Sequence, residues 1–157
     1  MIQRIQTVWL FLASFVLFGL FVFPYVNFID LVGLGKRILV TGTFSSVNNE
    51  SVRETSSVML ALVSGFVALL PLIAIFQFKN RKNQIKLIGL IIVLIIVLGV
   101  WMFSNAASKL AGISQTIQAG NIGVGFFLLP VAVILLAMAI GGIRKDEKLI
   151  KSADRLR

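Results

Sequence analysis

Ile85-Lys86-Leu87-Ile88-Gly89-Leu90-Ile91-Ile92-Val93-Leu94-Ile95-Ile96-Val97-Leu98-Gly99-Val100-Trp101-Met102-Phe103 carries no charge beyond Lys86. As an α-helix it extends about 30 Å, the thickness of the hydrocarbon core of a bilayer. Two more runs, Val58 to Phe78 and Gly123 to Ile143, are similar in length and contain no Asp, Glu, Lys or Arg. A fourth, Val8 to Phe23, is also uncharged. Four such segments among 157 residues leave almost no polar surface to face water, which excludes a soluble fold.

Composition points the same way. Hydrophobic residues make up 58% of the chain and charged residues only 13%, about half the charged share of soluble domains. The sequence therefore predicts one membrane domain over residues 1–157, with spans near 8–23, 58–78, 85–103 and 123–143 and a cytoplasmic tail at 144–157. The expected fold class is an all-α membrane protein, a four-transmembrane-helix bundle with a helical C-terminal extension. The first run is followed by Phe23-Pro24-Tyr25-Val26-Asn27-Phe28, without the small residues a signal-peptide cleavage site needs, so it reads as an uncleaved anchor.

The distribution of basic residues sets the orientation. Arg4 precedes the first run, Lys79, Arg81, Lys82 and Lys86 surround the short connection after the second, and six more follow the fourth. Lys36, Arg37, Arg53 and Lys109 fall in the opposite connections. Because Lys and Arg beside spans are retained on the cytoplasmic face, both termini are expected inside. The net charge of +9 is thus assigned to the membrane surface and anionic lipid headgroups, not to nucleic acid.

Small residues mark helix contacts in lipid. Ala61, Gly65 and Ala68 recur on one face of the second run and Ala137 with Gly141 on the fourth, for packing within the chain or for self-association. Pro71 and Pro130 lie inside runs, where each removes a backbone hydrogen bond. Trp9, Tyr25 and Trp101 fall near run ends and read as headgroup-level anchors.

The connection from Pro24 to Ser57 is too long to lack structure. Arg37-Ile38-Leu39-Val40-Thr41, with a turn at Gly33 to Gly35 and a second strand from Phe28, Ile29, Leu31 and Val32, suggests a small β-hairpin; an irregular flap in the headgroup layer is the other reading. Residues 48–55 read as the approach to the second helix. The segment from Ser104 to Asn121 suggests a short interfacial helix.

Cys and His are both absent, which removes disulfides, thiolate chemistry and the commonest metal ligand. No ionisable group lies deep within a run, so the sequence predicts no enzyme, no cofactor and no metal site. Candidate contacts for a partner or for lipid are Arg81 and Lys82 in the basic connection and Arg144, Lys145, Asp146, Glu147, Asp154, Arg155 and Arg157 in the tail. Leu149, Ile150, Ala153 and Leu156 fall along one side of that tail, which makes it amphipathic: a snorkelling end of the last span or a docking helix. The favoured function is a structural or accessory organiser; the alternative is an oligomeric component for transport of a small molecule or lipid.

Three stretches carry a resemblance: Met1-Ile2-Gln3-Arg4-Ile5-Gln6-Thr7, Phe78-Lys79-Asn80-Arg81-Lys82-Asn83-Gln84-Ile85, and Arg144-Lys145-Asp146-Glu147 through Ser152-Ala153-Asp154-Arg155-Leu156-Arg157. In order and spacing they resemble an uncharacterised bacterial family of short four-span membrane proteins, domain of unknown function 4293, found largely in Bacteroidota. The resemblance implies a bacterial inner-membrane protein whose fourth span and tail form one unit. It implies no activity and no site residues.

Overall fold

The structure, a computed structural model, describes residues 3–31, 33–47, 50–78 and 80–154. Helix α1 (Gln3–Phe18) runs into a 3-10 turn (Gly19–Phe21). Strands β1 (Val26–Ile29), β2 (Gly35–Leu39), β3 (Gly42–Val47) and β4 (Glu50–Ser56) follow. Helices α2 (Val58–Phe76), α3 (Arg81–Ala111) and α4 (Val124–Asp154) complete the chain, with a second 3-10 turn (Ala119–Asn121) leading into α4.

Helices α2 and α3 and the Val124–Leu149 part of α4 are long and apolar enough to cross a membrane. The chain is a membrane protein. Phe66, Val100 and Phe127 point outward and are more than half exposed, an arrangement suited to hydrocarbon and unsuited to water. Inward positions follow helical spacing: Gln6, Leu10, Ser14 and Leu17 on α1, Ile88, Ile91, Ile95, Leu98 and Met102 on α3, and Leu129, Ala132, Leu136, Ala139 and Ile143 on α4. Helix α1 packs on α2 and α4, and α3 packs on the same two.

Polar ties between the helices are few and specific. The Ser14 hydroxyl donates to the Ala68 carbonyl at 2.6 Å, one residue beyond the carbonyl that Pro71 deprives of its amide donor. In the tight connection from α2 to α3, the buried Gln84 amide donates to the last-turn carbonyl of Ala74 at 3.0 Å, and Asn80 caps α3.

The all-α expectation is overturned by a four-stranded antiparallel sheet, ordered β1-β2-β3-β4, between α1 and α2. The expected hairpin is its first half, shifted: Val26 pairs with Ile38 and Ile29 with Gly35. The second half had no apolar alternation to announce it. On β3 the inward positions are Thr43 and Ser45, buried with their hydroxyls, and β4 is exposed from Ser51 to Ser56. A polar inward face and a solvated edge strand erase the period-2 signal that marks a strand. Residues 50–55, expected to lead into α2, are β4 itself.

Other expectations shift with the helix ends. Helix α3 continues from Phe103 to Ala111 in place of a separate interfacial helix, and Arg81, Lys82 and Lys86 stand in its first turns, not in a loop. Tyr25, expected as a headgroup anchor, is 1% exposed, and its hydroxyl has no hydrogen-bond partner among the described residues. Burial pushes that phenol well above its usual pKa. Ala137 and Gly141 face outward, and Ala132 and Ala139 make the close contacts on α4 instead.

Candidate functional site

The helices place two chemically different ends on the molecule. At one end lie the starts of α1 and α3 and the end of α4, joined by the Gln6 side-chain amide donating to Asp146 at 2.5 Å. At the other sits the sheet. Its inward residues Val26, Phe28, Ile38 and Val40 join the same buried core as Leu60 and Leu110.

The sheet is fastened to the helices by a backbone clasp. Val26 bridges Ile122, the Gly123 amide donates to the Tyr25 carbonyl at 2.9 Å, and the Gly125 amide donates to the Pro24 carbonyl at 2.9 Å. A Cβ on Gly123 would overlap the Pro24 carbonyl oxygen, and one on Gly125 the Phe23 carbonyl oxygen. Only glycine allows this crossing.

Three of the four cations at the sheet end are tied down internally. Lys36 bridges Asp30 at 2.8 Å and Glu54 at 3.0 Å. Hydrogen bonding to Lys36 and to the Leu31 amide holds the Asp30 carboxyl below the usual carboxylate range. Hydrogen bonding to Asp30 and Glu54 holds the Lys36 ammonium above its ordinary value. Lys109, near the end of α3, donates to Thr43 Oγ1 at 2.8 Å and Ser57 Oγ at 3.3 Å, linking helix to sheet. Arg53 stacks over the Phe44 ring at 5.9 Å and donates to the Thr41 carbonyl and Ser56 Oγ.

The fourth, Arg37, is exposed and lines a cavity of about 640 Å³ with Asn27, Ser46 and Asn121. A second cavity of about 450 Å³ shares the Phe28, Ile29 and Asn121 walls and adds Gln115 and Gln118. Ser114, in the left-handed region at φ 56, lies in the bend after α3, beside Gln115, whose amide donates to the Ile29 carbonyl at 3.1 Å.

The expected contact residues are not one cluster. Arg81 is partly exposed, and Lys82, Arg144 and Lys145 are exposed at the end away from the sheet. Asp146 is different: it is 8% exposed, with one carboxylate oxygen on Gln6 and the other without a hydrogen-bond partner among the described residues. It belongs to the helix interface. The spacing of Leu136, Ala139 and Ile143 extends to it by one more step, a signal present in the sequence. Glu147 is partly exposed, Asp154 ends α4, and Arg155 and Arg157 lie outside the described residues. The carboxylates of Asp30 and Glu54 share the Lys36 ammonium in a structural ion cluster.

Midway along the helices, Gly99 of α3 and Pro130 of α4 line an apolar cleft of about 570 Å³ with Ile95, Phe103, Phe126 and Val133, open to the surroundings. Among the described residues no three His, Cys, Asp or Glu side chains stand together as metal ligands would.

No curated protein matches the chain. The model of one family, a domain of unknown function, DUF4293, matches residues 2–156, and the chain belongs to that family.

Proposed function

We propose that this member of DUF4293 is a non-catalytic accessory protein of the bacterial inner membrane, crossing it four times, with both termini and the basic end cytoplasmic and the sheet outside. Helix α1 and its 3-10 turn cover Gln3–Phe21, about 30 Å at their respective rises, which supports a fourth crossing. The basic end binds anionic lipid headgroups or a membrane partner through Arg81, Lys82, Arg144 and Lys145, with the α4 extension and Arg155 and Arg157 beyond it.

The observation that carries this reading is the contrast in how cations are used. Lys36, Arg53 and Lys109 are spent on the fold, whereas Lys82, Lys86, Arg144, Lys145 and Lys148 are exposed. Exposed Lys and Arg beside a span attract anionic lipid by about 1 kcal/mol each. The test is purification in nanodiscs with and without phosphatidylglycerol, followed by native mass spectrometry. Retained anionic lipid that is lost in a Lys82→Glu/Lys145→Glu variant is the expected result; equal retention by both proteins would exclude lipid binding at this end. Crosslinking from native membranes, with the chain cut after Lys145, tests the partner arm.

A second reading, an oligomeric lipid-transport component, is favoured by one observation, the lateral cleft at Gly99 and Pro130. It requires oligomers of fixed size, and lipid movement that Gly99→Leu blocks.

A further inference from the structure

We infer that the cavity beside Arg37 is a binding site for a phosphate group, on the face of the protein opposite the basic end. The charge arrangement comes first. Asp30 and Glu54, from the β1–β2 turn and β4, are both held by Lys36, and among the described residues no carboxylate pairs with the guanidinium next in the chain. Arg37 sits directly across from Asn27 on β1 and Phe44 on β3, on the sheet face opposite the buried Ile38.

The donors around the cavity suit a tetrahedral oxyanion. A guanidinium presents a planar fork that matches two phosphate oxygens at once. Asn27 and Asn121 bring carboxamide groups and Ser46 a hydroxyl, from β1, β3 and the 3-10 turn before α4, and these neutral donors add hydrogen bonds without adding charge. At about 640 Å³ the space is that of small-molecule pockets, roughly 300–1,000 Å³, and larger than a bare carboxylate or inorganic ion requires. The occupant is therefore a phosphate carried on a polar body: a phospholipid headgroup or a soluble phosphorylated solute. The adjoining amide-lined cavity at Gln115 and Gln118 offers room and hydrogen bonds for that body.

The cavity is also built to hold its shape. Its walls come from β1, β2, β3 and the segment before α4, and the Val26–Ile122 bridge and the Gly123 amide lock these together. Ile29, which lines the cavity, and Leu31, at the tip of the β1–β2 hairpin, are 67% and 76% exposed, which places apolar groups beside the polar lining.

The protein, purified in a phosphate-free maltoside detergent, is titrated with inorganic phosphate and, separately, with dihexanoyl phosphatidylglycerol, with calorimetry for affinity and hydrogen exchange of residues 26–39 for location. Saturable binding that protects this hairpin is expected. Arg37→Gln weakens it at least about tenfold and Arg37→Lys by less, because a point charge replaces the fork. Binding by the lipid but not by phosphate identifies a headgroup as the source, and the reverse a soluble solute. The inference is overturned if neither probe protects the hairpin, or if Arg37→Gln binds as tightly as the native chain. Arg37 is exposed, so these substitutions leave the fold standing.

Discussion

The two ends of this protein carry the same basic side chains and use them in opposite ways. At the sheet end Lys36 joins two carboxylates, Lys109 bridges two hydroxyls and Arg53 donates to the Thr41 carbonyl in the β2–β3 turn. At the other end Lys82, Arg144 and Lys145 reach outward. Counting charges along the chain does not separate these uses; partners decide whether a charge supports the fold or meets something else.

The sharpest way to break this contrast is to unfasten the sheet. Gly125→Ala forces a Cβ onto a carbonyl oxygen and is expected to cost about 1–3 kcal/mol, seen as a lowered Tm in detergent. Gly141→Ala, at a position with nothing near a new Cβ, should leave Tm unchanged or raise it. Equal effects would deny the clasp its role.

Lys36→Met comes next. It strands Asp30 and Glu54 and should lower Tm by a few degrees, whereas Lys82→Met at the basic end should change the unfolding free energy by less than about 0.5 kcal/mol and leave Tm nearly unmoved. The same ion pair gives the sheet a pH window. Asp30 titrates below its unfolded value, so its contribution is present above that value and lost as pH falls through the depressed one. Lys36 titrates above its unfolded value, so its contribution is present below that value and lost as pH rises through the raised one. Protection factors of the strand amides, taken relative to the intrinsic exchange rate at each pH, should thus be highest between roughly pH 5 and 10 and lower on either side; Lys36→Met should flatten this profile.

The smallest effect on stability is expected at the basic end, where the readout is topology. Reporter fusions at residues 82 and 157 should signal inside and at residue 45 outside, and Glu at Lys82 and Lys145 should blur that assignment without lowering Tm. Opposite-side signals for 82 and 157 would remove the four-crossing arrangement. Charge reversal at Arg155 and Arg157 should reduce partner recovery and leave insertion intact.

The long apolar runs were legible because hydrocarbon imposes a simple rule of length and charge. The sheet was half legible. Val26 and Phe28 flank the polar Asn27, and Ile38 follows Lys36 and Arg37, but Thr43 and Ser45 are buried on the inward face of β3, where Lys109 donates to the Thr43 hydroxyl. That compensation comes from a residue in α3, far along the chain, and no local pattern contains it. The Arg37 cavity was hidden for the same reason, since Asn121 approaches it only through the clasp. Asp146 stands among the candidate contacts by its charge, while the helical spacing of Leu136, Ala139 and Ile143 carries it into the helix interface, where it is buried.

The clasp also orders the assembly of the protein. The strands are contiguous in the chain and each pairs with its neighbour in sequence, so the sheet can form from nearby segments while the rest is being made. Helices α2 and α3, joined by a connection of only a few residues, enter the membrane as a hairpin. The seat for β1, however, is Ile122 to Gly125, at the threshold of the last helix. Before α4 is made the sheet is held by Lys109 of α3 and by Gln115 in the bend after it, and the contacts of Ile122, Gly123 and Gly125 with Val26, Tyr25 and Pro24 can close only once the last helix is started.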